Sequence, residues 1–366
     1  MRIRWLWLWL WLWLWLLLGT LLLSACDDQK PPADGFAGLG NQASTFARVV
    51  PGKVFSFPRD HGPHDGFRIE WWYVTANLKD DQGRTFGVQW TLFRNALKAN
   101  TQVQGWSNQT IWMGHAAVTS ASRHYAAERY ARGGVEQAGV NASPFKAWID
   151  DWTFDSQSGL ENPLANMQLH ARGQNFSYRL QLTTSQPLVL QGEQGFSQKS
   201  EQGQASYYYS QPFFQAKGTV EIDGKTYQVA GPAWLDREWS SQPLTANQTG
   251  WDWFSMHLDS GEQLMLYRMR QKNGEPYLTG TWISADGQTQ VLKGPEIQLT
   301  PLTSSDVAGH ALPTRWGVKI PEKHLDITTT ALNPNAWMNL RIPYWEGPVQ
   351  LSGSHSGTGY LEMTGY

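Results

Sequence analysis

The chain has one cysteine, Cys26, among its 366 residues, so no disulfide can form within it and its core has to hold together without covalent staples. Charged residues are scarce, at 16% of the chain, and the formal charge is only −2. No run of lysine and arginine exists that would track a phosphate backbone, which argues against nucleic acid as a partner. Long stretches with a 3.6-residue apolar period are also missing. So are a P-loop, a dinucleotide-binding glycine fingerprint and a GxSxG nucleophile elbow, the nearest serine cluster being SGSHSG at 352–357, in a Gly-Ser loop. His61-Gly-Pro-His64-Asp65 carries two histidines and an aspartate, but the glycine and proline mark a loop, and no metal or other cofactor is expected.

What is present begins at the N-terminus. Arg2 and Arg4 precede an unbroken apolar stretch, Trp5 to Leu23, that ends in Leu23-Ser24-Ala25-Cys26. A stretch this long could also stay in the bilayer as a signal anchor. The small residues before a lone cysteine instead resemble a bacterial lipobox, which implies cleavage after residue 25 and acylation of Cys26. The expectation is a lipoprotein held in the cell envelope and facing the periplasm, with Asp27 hinting at the inner membrane. Residues 26–47, rich in Pro, Gly, Asp and Gln, read as a tether.

The remainder is long enough for two domains, and its pattern alternates with period two. FRIEWWYVTANL (67–78) and TFGVQWTLFRNAL (85–97) flank the turn KDDQGR, and similar segments recur to GYLEMTGY (359–366). Asp223-Gly224, Ser260-Gly261 and Asp286-Gly287 are hairpin turns. This predicts an all-β protein of two tandem antiparallel barrels of eight to ten strands, over 48–242 and 243–366. One or two short helices are allowed, the best candidate being 122–139 with its alanines and spaced charges.

Chemistry concentrates in AWLDREWSS (233–241). Strand alternation sends Asp236 and Glu238 to one face and Arg237 to the other. Asp236 is either a desolvated acid between Trp234 and Trp239 or part of a structural ion-pair cluster. Glu70 is a second acid set against aromatic bulk, either a catalytic candidate or a structural partner of Arg237 across the barrel. His115 and His257 lie in apolar strands and are candidates for catalysis or ligand contact. Trp253 and nearby methionines could line an apolar cavity or be ordinary core.

Six motifs in order carry a family resemblance: Glu70-Trp71-Trp72-Tyr73, Trp112 to His115, Pro144-Phe145 with Trp148, Tyr207 to Ser210, Trp234 to Trp239, and Gly359-Tyr360 to Gly365-Tyr366. Over residues 50–366 the chain resembles the carotenoid 1,2-hydratase/AttH-like family of exported proteins. The resemblance implies two lipocalin-like barrels with ligand space in them and near their junction, and an apolar lipid or isoprenoid ligand. It implies a carrier or an accessory to an ABC-type permease, or else a hydratase- or hydrolase-like enzyme with Asp236 as general acid. Trp71, Trp72, His115, Tyr207, Tyr209, Trp234, Trp239 and Trp253 are the candidate ligand contacts. Trp234 stands where the hydratases carry a tyrosine, and Tyr207 and Tyr209 align where they carry His-x-Trp.

Overall fold

The computed structural model describes residues 45–99, 103–157, 159 and 162–366. Cys26, Asp27 and the Trp5–Leu23 stretch lie outside the described residues.

The described chain is antiparallel sheet joined by short turns, in two sheets of 13 and 10 strands. In the first, β1 (Ile69–Asp80) pairs with β2 (Thr85–Ala96), which pairs with β3 (Thr110–Ser120), which pairs with β4 (His124–Arg132). On its other side β1 pairs with β13 (Lys225–Ser240), the last strand of that sheet, and β13 with β12 (Ala205–Ile222). The second sheet repeats the plan. β14 (Gln248–Leu258) pairs with β15 (Gln263–Gln271) and also with its own last strand, β23 (Gly357–Met363), beside β22 (Tyr344–Gly353). Pairing first strand with last is how an up-and-down barrel closes. Each sheet is instead unpaired between its fourth and fifth strands, β4 and β5 (Ala138–Ala142) in the first, and β17 (Thr289–Lys293) and β18 (Gln298–Val307) in the second.

The hairpin turns form where the residues allow them. Ile222 and Lys225 pair across a two-residue loop in which Asp223 (φ 52°) and Gly224 (φ 76°) both take left-handed backbone. Two expectations need correcting. The first sheet exceeds ten strands because several short strands, among them β5, extend it. Residues 122–139 form no helix: 124–132 are β4, with Tyr125, Ala127 and Ala131 packed against the first core and Ala126 against Met338 and Tyr344. Pairing with β3 and cover on both faces outweigh alanine's helix propensity.

Strict alternation places the cores. In β1, Trp72, Val74, Ala76 and Leu78 point into the first barrel, while Tyr73 turns outward. In β14, Phe254, Met256 and Leu258 fill the second barrel and Trp253 turns outward. The two outward faces pack on each other through a third cluster that includes Tyr73, Tyr208, Trp234, Trp253, Met265 and Tyr267. Gly87 lets them approach, since a Cβ there would lie 2.6 Å from Pro348 and 2.8 Å from the Tyr360 hydroxyl.

Candidate functional site: an acid-lined cavity between the sheets

The ladder of β12, β13 and β1 sorts the motif residues onto two faces. Asp236 pairs with Ser210 and Tyr73, and Glu238 with Tyr208 and Trp71, all facing the junction between the sheets. Arg237 pairs with Tyr209 and Trp72, and Trp239 with Tyr207 and Glu70, all facing the first barrel.

The barrel-side face is an ion-pair cluster. Arg237 donates to Glu70 at 2.5 Å and to the Gly62 carbonyl at 2.6 Å, and its guanidinium lies 3.9 Å from the Trp72 ring centre. Arg94 donates to the other Glu70 oxygen at 2.7 Å. Burial pushes the Glu70 pKa up, but Arg237 and Arg94 overcome this and hold it well below the usual range. His64 bridges Asp60 and Glu70 and stacks on Trp239 at 4.0 Å, while His61 bonds the Tyr209 hydroxyl at 2.6 Å. Glu70 with two arginine partners is an anchored carboxylate, and the loop histidines serve the same cluster.

The junction side encloses a cavity of about 120 Å³. Its walls are mostly apolar, including Ile69, Trp71, Phe93, Met113, Trp253 and Met269. Into it face Asp236, Glu238, Lys199, His115 and Glu362. Asp236 is 2% exposed. Its Oδ1 accepts from Ser210 at 2.5 Å and from the Trp234 indole N–H at 2.6 Å, which leaves Oδ2 as the oxygen to carry a proton. Burial pushes its pKa up to about 7, with nearby Glu238 adding to the rise against the hydrogen bonds. The Tyr208 hydroxyl lies near enough to oppose the rise, without making a well-directed hydrogen bond.

Glu238 is held differently, at 3.0 Å from the Lys199 ammonium and accepting from the Tyr267 hydroxyl at 3.0 Å. Burial lowers the Lys199 pKa, and Glu238 opposes that.

The second sheet supplies two more carboxyls, Glu346 and Glu362, cross-strand partners on β22 and β23. Glu362 accepts from the Trp251 indole at 2.7 Å, and burial followed by the charges of Asp236 and Glu238 brings its pKa to about 8. Glu346, which accepts from the Tyr73 hydroxyl, is raised well above the usual range by burial and by Glu362. His115 bonds the Tyr344 hydroxyl at 2.9 Å through Nδ1, leaving Nε2 without a partner, and burial lowers its pKa to about 3, so the ring is neutral.

The structure therefore gathers Asp236, His115, Trp71 and Trp253 at one cavity, with the Trp234 indole bonded to Asp236 from behind. Glu70, Trp72, Tyr207, Tyr209 and Trp239 lie on the barrel side instead. His257 is on neither. It stands edge-on to Trp234 at 5.7 Å and lines a separate groove of about 960 Å³, with a pKa lowered to about 4 by burial. Sequence reasoning missed Lys199, Glu346 and Glu362. The signal for both glutamates is a carboxylate on the non-core face of an apolar strand, in YWEGPV and YLEM; their mutual pairing is visible only in the fold.

Among solved structures, an AttH protein from Nitrosomonas europaea is 33% identical and superposes with a TM-score of 0.77, covering 88% of this chain and all of that one. Kievitone hydratase from Nectria haematococca, 15% identical, superposes at 0.65 over 87% of this chain and 96% of its own. CghA with Sch210972, 10% identical, does so at 0.53 over 88% and 97%. These two likenesses show a common fold. No curated protein matches the chain. Residues 48–366 match the AttH-like family throughout, and with the Nitrosomonas relative this establishes that the chain belongs to that family of paired lipocalin-like barrels.

Proposed function

We propose that the protein binds one unsaturated end of a long apolar molecule, a lipid or polyprenoid, between its barrels and adds water to it with Asp236 as general acid. The observation that carries this reading is a carboxyl buried among aromatic rings with its pKa near 7 and one oxygen fixed by two donors. Protonating an alkene carbon needs a neutral, desolvated acid. The proton on Asp236 Oδ2 passes to carbon, the π electrons forming the C–H bond. Trp71 and Trp253 supply ring faces for the cation on the neighbouring carbon. Water oxygen then bonds to that carbon and returns one proton to the carboxylate. A void of about 120 Å³ accommodates one isoprene-sized unit, as a cavity of about 150 Å³ accommodates benzene, so the rest of the ligand must lie outside it.

That a solved relative in fold is a hydratase supports the reading. The sequence around Cys26 supports placing the reaction in the envelope, on a lipid-anchored chain facing the periplasm. A second reading, a carrier that shelters the ligand for an ABC-type permease, draws on Trp234, an indole where the hydratases have a phenol.

The test is to incubate the full chain with an acyclic carotenoid in heavy-oxygen water beside Asp236→Asn. A product heavier by one labelled water, formed by wild type alone, supports the hydratase. Equal binding by both chains with no product supports the carrier, and no binding by either overturns both.

A further inference from the structure

The exposed apolar side chains are not scattered. Val54 (86% exposed), Trp106 (77%) and Leu97 (63%) are the most exposed large hydrophobics among the described residues, with Val50 and Ile111 also exposed. All five lie at one end of the first barrel. Leu97 follows the last residue of β2 and Ile111 is near the start of β3, their backbones tied where Leu97 N–H donates to the Gln109 carbonyl. Trp106 tops the 3-10 turn Gly105–Ser107, which is held to the loop after β4 by Gly105 N–H donating to Gly134. Val50 donates to the Tyr207 hydroxyl near the start of β12, and Phe55, next to Val54, packs edge-on to Trp239 near the end of β13.

Two further features share that end. The described chain enters there, since Ala47 N–H donates to Gly66 and its carbonyl accepts from Ser241. The cavity between the sheets reaches it too. Ile111 pairs in register with Asn95, which lines the cavity beside Ile69 and Met113. Arg48, Lys98 and Arg132 are exposed around this rim, with Glu136 the exposed acid in the adjoining loop.

We propose that this end of the first barrel is a bilayer-docking face, in which Trp106, Leu97, Ile111, Val50 and Val54 enter the headgroup region of a phospholipid membrane and bring the cavity mouth against it. Nineteen positions separate Cys26 from Thr45, and fully extended chain spans about 3.5 Å per residue, so a tether of that reach leaves orientation undetermined. A ring of apolar side chains bordered by cations determines it. An apolar ligand then leaves the lipid and reaches the cavity without crossing water. This rests on a membrane ligand source, and it stands whether the bound molecule is hydrated or merely carried.

A photo-crosslinking phenylalanine replaces Trp106 in the full chain, and in a second chain replaces Leu302, an exposed leucine on an edge strand of the second barrel. Each chain is reconstituted in phosphatidylethanolamine–phosphatidylglycerol vesicles and irradiated. Phospholipid adducts at position 106, at least tenfold above position 302, are expected. Equal labelling at both positions, labelling at neither, or failure of the chain to float with the vesicles overturns the proposal. So does a silent position 106 in vesicles that instead yields a protein adduct in cell envelopes, which assigns the face to a protein partner. Intact mass of the purified chain reports acylation of Cys26 separately, so a missing anchor and a missing docking face are told apart.

Discussion

Asp236 accepts a hydrogen bond from Ser210 at 2.5 Å toward the cavity, while the next residue, Arg237, reaches Glu70 at 2.5 Å toward the barrel. One peptide bond separates a carboxyl whose pKa burial raises to about 7 from an arginine paired with a buried carboxylate. The arrangement answers the choice posed by AWLDREWSS: the ion-pair cluster and the desolvated carboxyl both exist, on opposite faces of one strand.

Replacing Asp236 by Asn keeps the shape and removes the proton. Turnover of an apolar alkene is expected to fall by roughly 10²–10⁴-fold, the usual contribution of a general acid. Binding of the same molecule, followed by tryptophan quenching, is expected to change less than about twofold. A loss of binding equal to the loss of turnover would assign Asp236 to the ligand pocket and not to proton transfer.

Stability should depend on pH through the same group. The folded pKa of Asp236, about 7, lies above the ordinary carboxylate value of 3.8, so the native state binds more protons between these values. The contribution of this group to stability is greatest below its unfolded pKa and falls as pH rises from about 4 to 7, with Glu362 extending the fall toward 8. At about 1.4 kcal/mol per pKa unit, Asp236→Asn should recover roughly 2–4 kcal/mol of this at pH 8 and little at pH 4. Urea denaturation at both values checks it, and an equal effect at the two pH values would refute the assignment.

The barrel-side cluster predicts the opposite outcome on mutation. Glu70→Gln leaves Arg237 buried without its carboxylate and Arg94 with Asp65 alone, and is expected to cost about 3–5 kcal/mol. The cavity chemistry, on the other face, should survive at temperatures where the variant stays folded. Activity lost before the unfolding transition would place Glu70 in the site.

Lys199 and Glu238 form a buried pair beside Asp236. Lys199→Met alone strands a carboxylate and should destabilise by about 3–5 kcal/mol, whereas adding Glu238→Gln should restore most of it. A strictly additive double-mutant cycle would show that the pair does not interact.

Gly87 tests whether the junction is rigid. A Cβ at 2.6 Å from Pro348 cannot be accommodated without moving one sheet from the other. Gly87→Ala is expected to cost about 1–3 kcal/mol and to weaken ligand binding, because the cavity walls come from both sheets. Unchanged affinity would mean that the ligand does not use the junction.

The sequence by itself determined the all-β class, the hairpin turns and the two-sidedness of β13. A pleated strand alternates, so Asp236 and Glu238 had to part from Arg237 wherever the strand lay. The pairing of Arg237 with Glu70 was open to inference, since both sit in aromatic strands with few other ions to meet. Tertiary structure alone decided the rest. Segment 124–132 is strand because β3 offers it a ladder, which no local pattern records. Tyr207, Tyr209 and Trp239 turned away from the cavity with Arg237, and His257 fell into a different groove, because facing depends on register against distant strands. Glu362 met Asp236 only when two sheets packed face to face, bringing together carboxyls whose separation along the chain carries no mark of their nearness.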